Sequence, residues 1–230
     1  MNISASYKKF FKRYGPVIFI MSFFSIVVIT SFYFILQPKV SLPIYSPSMV
    51  SEELVEEDIR YVKKYHSISN FSLTNQNGEL INQEFYQNKI YIADFFFTTC
   101  PDICPKMTEN MGYLQNELKN QTDVLLVSFS VTPNIDSVNV LRAYADLKGV
   151  DDSKWNLFTG SKKDIYELAR KSFLVAKNDG DGGKYDMIHT ENFVLIDKEN
   201  RIRGFYDGTN EVEMNKLLKD VKILQNSYLD

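Results

Sequence analysis

The chain has few residues that can bind a soft metal or form a disulfide. Its 230 residues include only two cysteines, Cys100 and Cys104, and two histidines. Two cysteines are too few for a disulfide framework, and a chain of this length with 44% apolar residues can bury a core without one. Because the two cysteines are close together, a bond between them would remove little entropy from the unfolded chain. The pair therefore indicates chemistry rather than cross-linking.

Acidic residues are absent from the first 37 positions, which contain four basic ones, Lys8, Lys9, Lys12 and Arg13. The remainder carries 22 basic and 29 acidic residues, a net charge of −7. Binding to nucleic acid requires a basic face on the folded domain. The charge therefore argues against a nucleic-acid partner.

Charged residues are also absent from residues 17–36, "VIFIMSFFSIVVITSFYFIL". As a helix this run spans about 30 Å, the thickness of a hydrocarbon core. The basic cluster before it predicts a cytoplasmic N-terminus and an extracytoplasmic remainder. A cleaved signal peptide is the alternative, but its apolar region is usually shorter and ends at small residues. The sequence thus favours an uncleaved single-pass anchor in the cytoplasmic membrane.

These features divide the chain into four parts. Residues 1–16 form a basic cytoplasmic N-terminus, and residues 17–36 form the transmembrane anchor. Residues 37–64 contain three prolines and are predicted to be a linker, with a helix beginning near Ser51. Residues 65–230 have the alternating apolar and polar pattern of a compact domain.

Within that domain, "SNFSLTNQNGELIN" predicts a β-hairpin around its "NQNG" turn. The apolar runs "KIYIADFFF" (89–97) and "DVLLVSFSV" (123–131) predict two buried strands. The segment "ENFVLIDKENRIRGFYDG" predicts two further strands joined by a turn. Apolar residues at helical spacing predict helices around residues 107–118, 138–147, 162–175 and 212–224.

The order of these elements predicts an α/β fold. A strand–helix–strand unit with a parallel pair is followed by helices, an antiparallel hairpin and a last helix. This order matches the thioredoxin-like fold, in which helices flank a central mixed sheet. The active motif of that fold lies at the end of the first central strand, where this chain has its two cysteines.

The motif "TTCPDICPK" places Cys100 after a buried strand and Cys104 at the start of a helix. Pro105 suits the first helical turn, where a missing N–H costs nothing. Both sulfurs would lie near the positive end of the helix dipole, which favours the thiolate. Thiolates both attack disulfides and bind metals, so this position leaves the two roles open.

The spacing of the pair favours a metal. Residues four apart on a helix have Cβ atoms about 5–6 Å apart, whereas a disulfide needs about 3.8 Å. Two thiolates that share a soft metal ion can lie farther apart, because each binds it at about 2.3 Å. A redox-active disulfide between Cys100 and Cys104 remains open if the loop before the helix can bend inward.

Two thiolates need one or two further ligands, and only two histidines are available. His66 lies at the predicted edge of the domain, where a solvated surface histidine is expected. His189 alone is typical of a turn or cap, but it directly precedes a predicted core strand that faces the cysteine motif. Thiol oxidoreductases of this fold keep a cis-proline there, and residues 186–193 contain no proline. Two thiolates and one imidazole suit Cu(I), and also Cu(II).

The segments "FFFTTCPDICPKMTENM" and "IHTENFVLID" together resemble the Sco/SenC family of membrane-tethered copper chaperones, over residues 65–228. The resemblance implies a thioredoxin-like fold and one copper ion bound by Cys100, Cys104 and His189. It also implies delivery of that copper to the dinuclear copper site of cytochrome c oxidase. The chain departs from many members at Ile188 and Thr132, where an aspartate is common.

The expected function is therefore that of a copper chaperone rather than an enzyme, with the copper-accepting subunit of cytochrome c oxidase as partner. The alternative is a thiol–disulfide oxidoreductase that keeps the copper-ligand cysteines of an oxidase subunit reduced. A peroxidase is disfavoured, because its T-x-x-C motif would need threonine where this chain has Phe97. Met107 and Met111 could bind copper, but their helical spacing with Leu114 and Leu118 predicts core packing.

Overall fold

The computed structural model describes residues 3–36, 41–55, 60–62, 66–176, 183 and 186–229. The chain forms two compact units, Met1–Val40 and Ser41–Asp230. The first unit is built on one helix, α1, at Ile3–Leu36. Within α1, the 27 residues Phe10–Leu36 are long and apolar enough to cross a membrane. The predicted apolar N-terminal helix is therefore present.

The second unit contains strands and helices in the predicted alternation. Its strands are β1 Ser72–Asn75, β2 Leu80–Asn82, β3 Ile90–Phe96, β4 Val124–Ser130, β5 Trp155–Thr159, β6 Asn192–Ile196 and β7 Ile202–Asp207. Its helices are α2 Ile103–Leu118, α3 Val138–Lys148, α4 Lys162–Glu167 and α5 Glu211–Asn226. Shorter 3₁₀ turns lie at Pro47–Met49, Glu52–Leu54 and Gln83–Tyr86.

All seven described strands form one mixed sheet in the order β2-β1-β5-β4-β3-β6-β7. The strand β3 pairs in parallel with β4 and antiparallel with β6. The strand β5 is parallel to β4 and joins the sheet to the antiparallel hairpin of β1 and β2. This arrangement confirms the predicted mixed sheet and places β3 inside it.

The two faces of the sheet carry separate cores, because successive strand residues point to opposite faces. On β3, Ile92 and Phe96 face a core shared with α2, α3 and α5. Tyr91 and Phe95 face the other core, where aromatic rings pack edge-on and stacked. The cysteines belong to the first core, which is the one that α2 covers.

The helix α2 buries the stripe that its sequence spacing predicts. Met107, Met111, Leu114 and Leu118 are each at most 1% exposed and pack in the first core. The two methionines are therefore core residues, as expected.

The predicted helix over 162–175 is divided in the structure. The helix α4 ends at Glu167 and continues as one wider π turn, Leu168–Ser172. Phe173 and Leu174 are both fully buried, and Leu174 has a φ of 56°. A φ of 56° lies in the left-handed region, which a right-handed helix excludes, so the backbone departs from helical geometry here.

Part of the predicted linker belongs to the compact domain. Residues 42–45 pack along β7, where Tyr45 donates its backbone N–H to the carbonyl of Ile202 at 2.9 Å. Arg203 donates from its guanidinium to two carbonyl groups just before Tyr45, at 2.7 and 2.9 Å. Val55 is only 1% exposed. The physical reason is that β7 is an edge strand with free backbone groups, which this segment partners.

Two predicted features fall wholly or partly outside the described residues. The helix expected from Ser51 is a short 3₁₀ turn at Glu52–Leu54, and positions 56–59 and 63–65 are not described. The glycine-rich loop before His189 lies mostly in 177–182, which is also outside the described part of the chain.

We expect Val55→Ala to lower the free energy of unfolding of the domain by about 1–3 kcal/mol, because it removes two methyl groups from a buried position. Urea unfolding of the domain beginning at Ser41 measures this change. Glu52→Ala, at an exposed site three residues earlier, is the matched control and should leave the midpoint unchanged. Equal midpoints for both variants would contradict the packing of this segment.

Candidate metal centre

The cysteine pair lies where β3 leaves the sheet. The strand ends at Phe96, whose carbonyl still accepts the backbone N–H of Val131 at 2.9 Å. Cys100 then donates its N–H to the carbonyl of Phe97 at 3.3 Å, which tightens the turn into α2. Cys104 is the second residue of α2. Both cysteines have free thiols, and they are 7% and 3% exposed.

The sulfur of Cys100 faces the start of α2. Burial raises the pKa of its thiol, but hydrogen bonds from the Cys104 thiol and from the backbone N–H groups of Cys104, Asp102 and Ile103 outweigh burial. The net result is a pKa below the ordinary cysteine value. Free N–H groups at a helix start stabilise an anion in this way, so Cys100 is the more acidic thiol of the pair.

Cys104 has the opposite environment. Burial raises the pKa of its thiol to about 12, and its hydrogen bond to Cys100 and the charges of Cys100 and Asp94 act in the same direction. The backbone N–H of Phe97 lowers the pKa by less. The two thiols thus differ, since Cys104 holds its proton more tightly than Cys100 and donates a hydrogen bond to the Cys100 sulfur.

Asp94 is a residue that the sequence interpretation missed. It lies in the middle of β3, is 2% exposed, and its Oδ1 has no hydrogen-bond partner. Burial raises the pKa of its carboxyl to about 7, and a hydrogen bond from Ser128 opposes this rise. The available signal was a single charged residue inside the apolar run "KIYIADFFF".

His189 lies in the segment that enters β6. Its side chain is exposed, whereas its neighbours Ile188 and Thr190 are buried. Because β6 runs antiparallel to β3, with Ala93 opposite Val194, this segment enters the sheet at the end where β3 leaves it. The topology therefore brings His189 to the same edge as the cysteines.

The histidine segment is held by α4. The Tyr166 hydroxyl lies 3.1 Å from the carbonyl oxygens of both Val131 and Asp186, and it accepts the N–H of Ile188 at 3.4 Å. Lys162 donates to the Asp186 carbonyl at 2.6 Å. A buried ion pair also joins the Asp186 carboxylate to the π turn after α4, through Arg170 at 2.7 Å. The backbone immediately before His189 is thus anchored, and sequence spacing alone gave no sign of this anchoring.

In the part of the chain that the structure describes, no three His, Cys, Asp or Glu side chains are grouped closely enough to hold a metal ion. The two thiols form a contiguous pair, and His189 is at the same edge of the sheet but outside a preformed group. The donor set itself fits a soft metal, because thiolates and imidazole are ligands that copper prefers. The predicted site residues are therefore near one another but not assembled.

Comparison with known proteins shows which family the chain belongs to. A family model described as SCO1/SenC matches residues 60–224. The chain belongs to the SCO1/SenC family. A SCO1 protein homologue of Bacillus subtilis (strain 168) is 33% identical over 161 residues, which are 68% of this chain and 82% of the relative.

Solved SCO1/SenC structures share the fold. BsSco, described as a member of the Sco family of cytochrome c oxidase assembly proteins with a disulfide switch, is 32% identical with a TM-score of 0.60. The match covers 69% of this chain and 93% of BsSco. The copper-bound structure of Arabidopsis thaliana ScoI is 25% identical with a TM-score of 0.54, over 67% of this chain and 97% of ScoI. The expected family and the thioredoxin-like fold are both confirmed.

The different pKa values predict different reactivity of the two cysteines. At pH 7 we expect iodoacetamide to modify Cys100 at least about tenfold faster than Cys104, because the thiolate is the nucleophile and its fraction changes tenfold per pH unit below the pKa. The ratio should fall as the pH rises towards the pKa of Cys104. Mass spectrometry of the cysteine peptides measures both rates, with urea-unfolded protein as the control. Equal rates in the folded domain at pH 7 would contradict the assignment.

We expect Tyr166→Phe to loosen the segment that carries His189, because the Ile188 amide loses its acceptor. Amide exchange over residues 186–190 should accelerate by about fivefold, as expected for the loss of a neutral hydrogen bond. Hydrogen-exchange mass spectrometry measures this change. Tyr113→Phe removes a hydroxyl from an exposed ring on α2 and should leave the same segment unchanged; equal exchange in both variants would refute the anchoring role.

Proposed function

We propose that the domain is a copper carrier that binds one copper ion through Cys100, Cys104 and His189. The observation that carries this proposal is the pair of free, adjacent thiols at the start of α2, one of them acidified by helix N–H groups. Such a pair offers soft ligands to Cu(I) without a disulfide having to be reduced first. Copper is the cargo in this proposal, not a resident cofactor.

His189 supplies the third ligand after a rearrangement. Its side chain is exposed, while Tyr166 and Lys162 hold the backbone just before it. A ligand that joins the thiolates only when copper arrives also leaves without breaking the fold. This property suits a protein that passes its ion on by ligand exchange.

The copper-accepting subunit of cytochrome c oxidase is the proposed recipient. This step is supported by the description of BsSco as a member of a family of oxidase assembly proteins and by the copper bound to Arabidopsis thaliana ScoI. We further propose that α1 anchors the chain in the cytoplasmic membrane. Four basic residues precede the apolar run, so the N-terminus would be cytoplasmic and the domain extracytoplasmic.

A second function, thiol–disulfide exchange, is favoured by the unequal acidity of the two thiols. The Cys100 thiolate would attack a partner's disulfide, forming a mixed disulfide and releasing one partner thiolate, which takes up a proton. Cys104 would then lose its proton and attack the Cys100 sulfur, forming the Cys100–Cys104 disulfide and releasing the second partner thiol. The pair would be oxidised by two electrons and the partner disulfide reduced by two.

Copper titration of the reduced domain tests the main proposal. We expect about one Cu(I) per chain in competition with a chromogenic chelator, with binding abolished by Cys100→Ser and weakened at least about tenfold by His189→Ala. His66→Ala is the matched control, since His66 hydrogen-bonds the Ser172 carbonyl away from the cysteine loop. Binding of both Cu(I) and Cu(II) by His189→Ala as tightly as by the parent would refute the three-ligand site.

The same variants separate the two functions. A thiol reductase should tolerate His189→Ala and lose all turnover in Cys100→Ser. The test substrate is a disulfide-bonded peptide whose two cysteines are separated by three residues. We expect the parent to reduce it only stoichiometrically, one peptide per domain. Multiple turnovers with a supplied dithiol, unaffected by His189→Ala, would favour the reductase instead.

A further inference from the structure

A second buried aspartate, Asp136, lies beside the loop of residues 97–102, which joins β3 to α2 and contains Cys100. Its carboxylate is fully buried and accepts four hydrogen bonds from neutral groups. Thr98 donates twice, from its N–H at 3.2 Å and from its hydroxyl at 2.5 Å. Ser130 and Thr132 donate from their hydroxyls at 2.6 and 3.1 Å. This carboxylate therefore joins the loop after β3 to the end of β4.

The hydrogen bonds between Thr98 and Asp136 lie close to the cysteine pair. Thr98 is two residues before Cys100, in the turn that leads from Phe96 to α2. Because both its backbone and its side chain bond the same carboxylate, Thr98 cannot rotate about one contact while keeping the other. These two hydrogen bonds therefore fix the backbone two residues before Cys100.

Asp136 is itself held by a tight turn. Its N–H donates to the Thr132 carbonyl at 2.9 Å, and the N–H of Ile135 donates to the same oxygen at 2.8 Å. The carboxylate is therefore attached through a turn to the end of the central strand β4 rather than to a mobile loop. A rigid support of this kind is what a preorganised ligand site requires.

We propose that Asp136 is a positioning residue for the cysteine pair, holding the Thr98 turn so that the Cys100 sulfur remains at the N–H groups of α2. The inference rests on the proposed copper site for its metal readout but not for its structural readout. An ionised carboxylate only accepts hydrogen bonds, which matches the four donors around it. An asparagine would replace one carboxylate oxygen with an NH₂ group, so at least one hydroxyl would have to turn and accept instead of donate. The negative charge that strengthens all four hydrogen bonds would also be lost.

The first test uses the copper-free, reduced domain. We expect Asp136→Asn to accelerate amide exchange of Cys100 by about tenfold, the size of the loss of a hydrogen bond to a charged group. The Cys100 amide is informative because its own acceptor is the Phe97 carbonyl, so its exchange reports the turn and not the substituted carboxylate. Two-dimensional NMR resolves this amide.

The second test measures Cu(I) affinity by chelator competition. Asp136→Asn and Thr98→Val should each weaken binding by about tenfold, whereas Thr98→Ser keeps the hydroxyl and should bind like the parent. The double variant should be no weaker than Asp136→Asn alone, because both substitutions break one connection. Thr98→Val also supplies the answer if Asp136→Asn does not fold.

Asp197 provides a matched control for general destabilisation. It is also fully buried and accepts hydrogen bonds from Arg201 and Arg203. It follows β6 at the opposite end of the sheet, since Ile196 pairs with Tyr91 near the start of β3. Asp197→Asn should lower stability without changing Cys100 exchange or copper affinity.

The outcomes decide the inference. Faster Cys100 exchange and weaker copper binding in Asp136→Asn and Thr98→Val, with both absent in Asp197→Asn and Thr98→Ser, support it. Equal effects of Asp136→Asn and Asp197→Asn, or none of either, overturn it. If the parent domain binds no copper, the proposed function fails, and Cys100 exchange alone still decides the role of Asp136.

Discussion

The strand β3 has hydrogen-bonded neighbours on both edges and buried side chains on both faces. A strand in this position cannot shift its register without exposing apolar residues or breaking one of its two ladders. The chain must therefore leave the sheet at Phe96, and the next residues carry the cysteines to the start of α2. Antiparallel pairing with β6 brings the His189 segment to the same edge. One buried strand thus brings the segments that carry all three candidate ligands to one edge of the sheet.

The same burial makes the two thiols unequal. In a dry interior an anion persists only where hydrogen-bond donors surround it. The first N–H groups of α2 supply such donors to Cys100. Cys104 lies deeper, and burial together with the charges of Cys100 and Asp94 raises the pKa of its thiol. A more acidic thiol beside a less acidic one suits both soft-metal capture and disulfide exchange, which is why the two proposed functions share one pair of residues.

The end of β4 supports the two loops that carry these ligands. Asp136 connects it to the turn before Cys100. Tyr166 connects Val131, the residue after β4, to the segment before His189. Both connections pass through buried polar groups whose hydrogen bonds are costly to break in a low-dielectric interior. The loops can therefore be held near one another while His189 itself stays exposed.

The sequence predicted the features that have a local physical cause. The buried strands β3 and β4 and the apolar stripe of α2 follow from hydrophobic periodicity, and the acidity of Cys100 follows from its place at a helix start. The same prediction was wrong for Cys104, because burial raises the pKa of its thiol. The site was predictable as far as its candidate ligands, because few residues of this chain can bind a soft metal.

Only the tertiary structure decided the insertion of β5 between β1 and β4, the packing of residues 42–45 on β7, and the surroundings of Asp94 and Asp136. These features join residues far apart in the chain. Periodicity describes which side of an element is apolar, but it contains no information about which distant donor will face a buried carboxylate.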